Sequence, residues 1–294
     1  MDQLITVVIN EDLDEVKRLL AAGANPNAAQ DDGATALMAA AQSGRAEIVK
    51  LLLSGGANPN ATLKNGATAL IGAAWRGHAE VVKALLLAGA NPNLSAGSNP
   101  NLADDGTTAL TAAVDQGHVE IVKVLLSADA DPNTAYHNGS TVLMLAAVQS
   151  EHAEVLKLLL SAGANPNAVA DDGMTALMHA VVQGHVEIVK VLLSADADPN
   201  TARNGCTVLM IAVHSEHAEV VKLLLSAGAN PNAVRNGATA LALAQENKNL
   251  PICRMLLAAG GLAYLTSGRS TEDEAQDGEG GDEAFDDEGM DIDF

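Results

Sequence analysis

The chain has 294 residues, 48% of them apolar but only 2% aromatic, with a formal net charge of −21. One Trp, two Tyr and two Phe are too few rings for one ordinary core of this size, so alanine and leucine must fill it, which suits closely packed helices. Two cysteines exclude a disulfide framework and a Cys-rich zinc module, and the acidic balance argues against nucleic-acid and anionic-membrane partners. No apolar run reaches the roughly 18 residues that cross a bilayer. Met1-Asp2-Gln3 opens without a basic segment leading into an apolar stretch, so a reducing compartment is expected, the cytoplasm or the nucleus.

The first predicted elements are two helices at about 2–9 and 13–21, with Lys17 and Arg18 placing charge beside apolar residues, as in a terminal cap. A Gly preceded by Asp or Asn then recurs at Gly33, Gly66, Gly106, Gly139, Gly173, Gly205 and Gly237. Each is followed by x-Thr-x-Leu, an Ala-rich stretch, a short turn such as Gly77-His78, a run such as Ala-Glu-Ile-Val-Lys-Leu-Leu-Leu, and Gly-Ala-Asn-Pro-Asn. Asp-Gly and Asn-Gly favour positive φ at both central positions of a tight hairpin. Thr35 and its equivalents stand where a hydroxyl caps a helix. Ala36, Leu37, Ala39, Ala40 and Ala41 make a slim first helix. In the second helix Ile48, Val49, Leu51 and Leu52 are expected to face the core, and Glu47 and Lys50 to share the wet side. Gly55 or Gly56 ends that helix and Pro59 stops it restarting, with Asp129 and Asp196 in the glycine's place in two units. The last pair is expected at about 239–247 and 251–258.

These residues resemble the ankyrin repeat over about residues 1–265. The family's T-P-L-H reads T-A-L-M or T-V-L-M in most units, which weakens the family's Thr–His hydrogen-bonding device. The resemblance implies an all-α solenoid of eight stacked helix pairs with short β-hairpin fingers. The array is assigned to 1–266 and an acidic, disordered tail to 267–294. The tail holds twelve acids and one base, about half of the net charge, and too few apolar residues to offset its ordering entropy.

Three irregularities interrupt the period. Asn91-Pro92-Asn93-Leu94 is echoed by Asn99-Pro100-Asn101-Leu102, which lengthens one finger by seven residues. The segment from Thr141 to His152 holds one extra residue, expected in a widened turn. Residues around 116–166 and 183–231 are nearly identical, which implies duplication of a two-repeat block.

The chemistry search points away from catalysis. Five of the eight histidines (His78, His118, His152, His185, His217) share one turn position and read as a fold device. The sequence has no H-E-x-x-H, phosphate-binding glycine loop or G-x-S-x-G, and Cys206 and Cys253 read as structural thiols. No cofactor or metal is expected.

What varies between units is free to read a partner. The resemblance places a concave face on the finger tips and the ends of the first helices. The candidate partner-binding residues are Lys64, Trp75, Arg76, Asp104, Asp105, Asp115, Gln116, His137, Asp171, Asp172, Gln183, Arg203, His214 and Arg235. Trp75 stands where other units carry Gln42, Asp115, Val148, Val182, His214 or Glu246, so its indole is expected in water. In the tail, Phe285, Met290, Ile292 and Phe294 alternate with acids, a pattern that docks on basic, partly apolar surfaces. The expected function is non-catalytic protein binding as a scaffold, adaptor or inhibitor, by a monomer. The alternative is an escort for a basic client, and a third reading is a regulatory subunit or remnant of a larger enzyme.

Overall fold

The computed structural model describes residues 3–96 and 106–263. Asp104 and Asp105, the middle of the lengthened finger, and the tail with Phe285, Met290, Ile292 and Phe294 lie outside the described residues.

The described chain forms sixteen α-helices in eight consecutive pairs. They are α1 (Gln3–Ile9) with α2 (Leu13–Ala21), α3 (Ala36–Gln42) with α4 (Ala46–Ser54), α5 (Ala69–Trp75) with α6 (Ala79–Leu87), and α7 (Ala109–Asp115) with α8 (Val119–Ser127). Then come α9 (Val142–Ala147) with α10 (Ala153–Ser161), α11 (Ala176–Val182) with α12 (Val186–Ser194), α13 (Val208–His214) with α14 (Ala218–Ser226), and α15 (Ala240–Glu246) with α16 (Leu250–Ala258). From α3 onward, first helices pack on first helices and second on second, so the molecule has two layers. One continuous core runs from Leu4 to Leu256 between them. No pair could bury its apolar stripe alone, and each neighbour supplies the missing wall.

Local chemistry sets the start and end of each helix. Thr35, Thr68, Thr108, Thr141, Thr175, Thr207 and Thr239 all have extended backbone, and each hydroxyl accepts the backbone N–H three residues on. That satisfies one of the donors a helix start leaves free. Most second helices end beside a residue with positive φ. It is glycine at Gly56 and Gly89 and aspartate at Asp129 and Asp196, where the left-handed backbone costs an L-residue about 1–2 kcal/mol.

The fingers correct one sequence expectation. Both central residues have positive φ only in Asn204-Gly205 and Asn236-Gly237. These are two-residue loops, and the first connects β1 (Ala202–Arg203) to β2 (Cys206–Thr207). At Gly33, Gly66, Gly139 and Gly173 the glycine alone is left-handed, and the preceding Asp or Asn side chain accepts the N–H two residues on. The two-residue fingers are one residue shorter, and loop length selects the turn.

Asparagines join the repeats in the loops that lead from each second helix into the next finger. Asn27, Asn60, Asn93, Asn133, Asn167, Asn200 and Asn232 each donate to a carbonyl of the next unit and accept a backbone N–H two residues further on. The pairs span 2.7–3.3 Å. At Asn232 the partners are Gly260 and Leu262, beyond the last helix. Gln245 is exposed at the end of α15, where earlier repeats bury Ala or Val.

The extra residue sits between α9 and α10. Gln149 takes extended backbone, φ −114° and ψ 126°, and Ser150–His152 form a 3₁₀ turn. α9 is correspondingly one residue shorter than the other first helices of the stack.

Candidate functional site

The turns between paired helices align the ends of the first helices. The Nε2 of His78 lies 3.0 Å from the Gln42 carbonyl, and that of His185 lies 2.8 Å from the Val148 carbonyl. His118 and His217 meet the carbonyls of Trp75 and Val182 in the same way, at 3.3 and 3.2 Å. A carbonyl only accepts, so each Nε2 carries the proton. The rings of His78, His118, His152 and His217 pack on the turn glycine of the preceding repeat. A Cβ on Gly44, Gly77, Gly117 or Gly184 would meet the following histidine at 2.7–2.8 Å. Where the next unit has no histidine, a side chain returns: Glu11 precedes Arg45, and Glu216 precedes Asn249. Glycine and histidine at this turn are therefore coupled between repeats, a relation hidden in the Gly-His dipeptides of the sequence.

His152 departs from the set. It is buried, its Nδ1 has no hydrogen-bond partner, and burial pushes its pKa down. His179, inside α11, is also held below the ordinary histidine range by burial, against the pull of Asp172. Burial raises the Cys206 thiol, partly offset by Arg235, which makes it a poor nucleophile.

Trp75 closes α5 and is 46% exposed. Three residues earlier on the same helix face is Gly72, where the other units place Ala39, Ala112, Leu145, His179, Ile211 or Leu243. The missing side chain leaves a notch beside the indole. The Gln42 side chain of the preceding repeat lies across it, with Cγ 3.0 Å from where a Cβ would stand. A mid-helix glycine costs about 0.5–1 kcal/mol relative to alanine. Arg76 is exposed beside the indole, and Lys64 is exposed in the finger leading into α5.

The other candidates are distributed along the stack. Asp115 is half-buried and accepts from the exposed Gln116 amide at 2.8 Å. His137, Asp171, Asp172, Gln183 and His214 are exposed. Arg203 is half-buried and bound to the preceding finger: its Nε donates to the Asp172 carbonyl at 2.8 Å, and a terminal nitrogen lies 3.6 Å from the Asp172 carboxylate. Arg235 is half-buried over Gly205. The geometry thus separates an exposed basic-aromatic spot at α5 from arginines already engaged with the preceding fingers.

Two open grooves lie on the second-helix side and were not anticipated. One of about 470 Å³ runs between α6 and α8, lined by Lys83, Leu86, Leu87, Lys123 and Val124. The other, of about 330 Å³, lies between α10 and α12 and includes Lys157 and Lys190. Leu87 is 90% exposed at a position that is serine in most units. Lys83 lies 3.3 Å from both Glu80 and Glu120, Lys123 3.8 Å from Glu154 and Lys190 3.5 Å from Glu187. Such exposed pairs contribute little stability.

A model of three ankyrin repeat copies matches residues 4–96, 130–203 and 195–264, and a single-repeat model matches 105–135. The chain belongs to the ankyrin repeat family. An ankyrin repeat domain from Acinetobacter baumannii, solved by crystallography, is similar at 32% identity with a TM-score of 0.61, covering 66% of this chain and 98% of that one. No curated protein matches it. Ankyrin repeats are in general non-catalytic protein–protein interaction modules. Among the described residues of this ankyrin array, no group of three or more His, Cys, Asp or Glu side chains is arranged to hold a metal. No described helix is long and apolar enough to cross a membrane.

Proposed function

We propose that this ankyrin array is a scaffold, adaptor or inhibitor that binds a partner protein on the face formed by its finger tips and first-helix ends. The observation that carries the reading is the exposed Trp75 indole, on a helix whose other large apolar residues are buried. Tryptophan and arginine dominate the energetics of interfaces, and here they are adjacent. The distribution of duties supports the same reading. Threonine, glycine, histidine and asparagine recur and hold the stack, while the residues at Lys64, Trp75, Arg76, His137, Gln183 and His214 change from unit to unit. The protein acts as a monomer in the cytoplasm or nucleus.

The test is capture of partners from lysate on immobilised protein, repeated with Trp75→Ala. A partner of this face is lost or weakened at least about tenfold by the substitution, the cost of one interface anchor. Partners captured equally by both forms would refute the assignment of the face.

A second reading, escort of a basic client, is favoured by the exposed acids Asp31, Asp32, Asp171 and Asp172 at the fingers. It differs in salt response. A client held by charge elutes at moderate ionic strength, whereas an apolar anchor resists it.

A further inference from the structure

Four fingers carry the dipeptide Asn-Gly: Asn65-Gly66, Asn138-Gly139, Asn204-Gly205 and Asn236-Gly237. In such a pair the glycine nitrogen can attack the asparagine side-chain carbonyl, because glycine has no Cβ to bar the approach. The fold treats the four pairs in two ways. Gly66 donates its N–H to the Leu63 carbonyl at 2.9 Å, and Gly139 to the Tyr136 carbonyl at 3.0 Å. The side chains of Asn65 and Asn138 accept the N–H groups of Ala67 and Ser140 at 3.1 and 3.0 Å. The Asn138 carbonyl also accepts the Asp171 N–H of the next finger at 3.0 Å. Among the described residues, the two-residue fingers have none of these bonds: Gly205 and Gly237 donate their N–H to no acceptor, and the Asn204 and Asn236 side chains have no hydrogen-bond partner. Asn204, Gly205, Asn236 and Gly237 are all exposed, whereas Gly66 and Gly139 are half-buried. We propose that Asn204 and Asn236 are sites of spontaneous conversion to aspartate and isoaspartate, and that the fold protects Asn65 and Asn138.

The conversion needs only water. The Gly205 nitrogen gives its proton to solvent and bonds to Cγ of Asn204. The Cγ–Nδ2 bond breaks, and Nδ2 leaves as ammonia with a proton taken back from solvent. Water then opens one of the two nitrogen–carbonyl bonds of the cyclic imide that results. Opening at Cγ leaves aspartate in an unchanged main chain. Opening at the backbone carbonyl leaves isoaspartate, whose main chain runs through the former side chain and is longer by one carbon. The net exchange is amide and water for acid and ammonia, and nothing is oxidised or reduced. To reach Cγ, the Asn–Gly peptide plane must rotate. At Asn65 and Asn138 that rotation breaks the glycine's own N–H bond, while at Asn204 and Asn236 the nitrogen is already open to water. One backbone hydrogen bond to be broken before the attack slows the step about two- to tenfold. Each event sets a carboxylate next to Arg203 or Arg235 in sequence and lowers the charge of that finger by one. Isoaspartate also adds a carbon to a loop whose length selects its turn. The fingers leading into α13 and α15 therefore change in charge and shape as the molecule ages.

The test follows the full chain by mass spectrometry during incubation at pH 8 and 37 °C. Cleavage after glutamate puts the four pairs on four separate peptides, 48–80, 121–151, 188–216 and 220–246. Conversion is read as the mass gained when an amide becomes an acid, and isoaspartate by its fragmentation. In the folded chain Asn204 and Asn236 are expected to convert about two- to tenfold faster than Asn65 and Asn138. In guanidinium chloride the four rates converge to within about twofold, because the bonds that distinguish the pairs are gone. Equal rates in the folded chain, including none at all, overturn the proposal, and so does faster conversion at Asn65 or Asn138. A ranking that survives in denaturant also overturns it, since the cause would then be the neighbouring residues and not the fold. No partner enters the measurement, so its outcome is independent of the face assigned to Trp75.

Discussion

The His217 imidazole occupies the place where any residue other than glycine at 184 would put its Cβ, 2.7 Å from Cε1. Gly184 also has φ 69°, so alanine there meets both a left-handed backbone and a collision. Gly184→Ala is expected to lower stability by about 2 kcal/mol or more in denaturant melting. In a His217→Asn background, which copies Asn249, only the backbone cost of about 1–2 kcal/mol remains. Equal losses in the two backgrounds would disprove the coupling.

Asn60 donates to the Gly89 carbonyl at 3.0 Å and accepts the Asn91 N–H at 2.7 Å. Asn60→Ala removes both bonds, and at about 0.5–1.5 kcal/mol each the loss is expected to be about 1–3 kcal/mol. Asn60→Asp keeps the acceptor but sets a carboxylate against the Gly89 carbonyl. Its loss should grow as pH rises through the carboxylate range, measured as melting temperature between pH 3.5 and 7.

Trp75→Ala should change the denaturation midpoint little, about 0.5–1 kcal/mol, because nearly half of the residue is in water. Leu125→Ala, at a fully buried position of α8, supplies the contrast at about 2–5 kcal/mol. If the two substitutions cost the same, the indole is a packing residue.

The Nδ1 of His152 has no hydrogen-bond partner in the fold, and burial lowers the pKa of the ring. The unfolded chain therefore takes up a proton near pH 6.5 that the folded chain refuses, and stability falls as pH drops below that value. His179 is lowered for the same reason and adds to the slope. His152→Leu should make the loss of melting temperature between pH 7.5 and 5.5 shallower. An unchanged slope would show that His152 is not its source.

Removing residues 140–173 joins Gly139 to Met174 and deletes one unit in register. A stack loses one helix pair and stays folded. Circular dichroism should show helix content reduced by about one eighth of the array, and collapse of the whole signal would refute the stack.

The period, the threonine caps, the glycine stops and the alternation of slim and long helices were legible because each depends on neighbours within a few residues. The joints between units were not. Asn-Pro-Asn has the composition of a turn, and nothing in it announces that Asn60 reaches 29 and 31 residues ahead. Gly-His looked like a dipeptide device because the partners of Gly77 and His118 stand in separate units. The notch at Gly72 was missed for a related reason: glycine amid alanines reads as another small residue until the displaced Gln42 shows the space. The wet position of Trp75, by contrast, followed from the polar residues that share its place.

The asparagine joint recognises only main chain: a carbonyl and an N–H two residues apart. It works equally when the carbonyl belongs to Gly163 or to Asp196. At this joint no matching side chain is needed, so a copied block such as 183–231 fits at its borders once the glycine–histidine match at the turn between paired helices is kept. The units behave as interchangeable parts with a common coupling, so the order of binding residues along the face can be reshuffled by recombination without redesigning the frame.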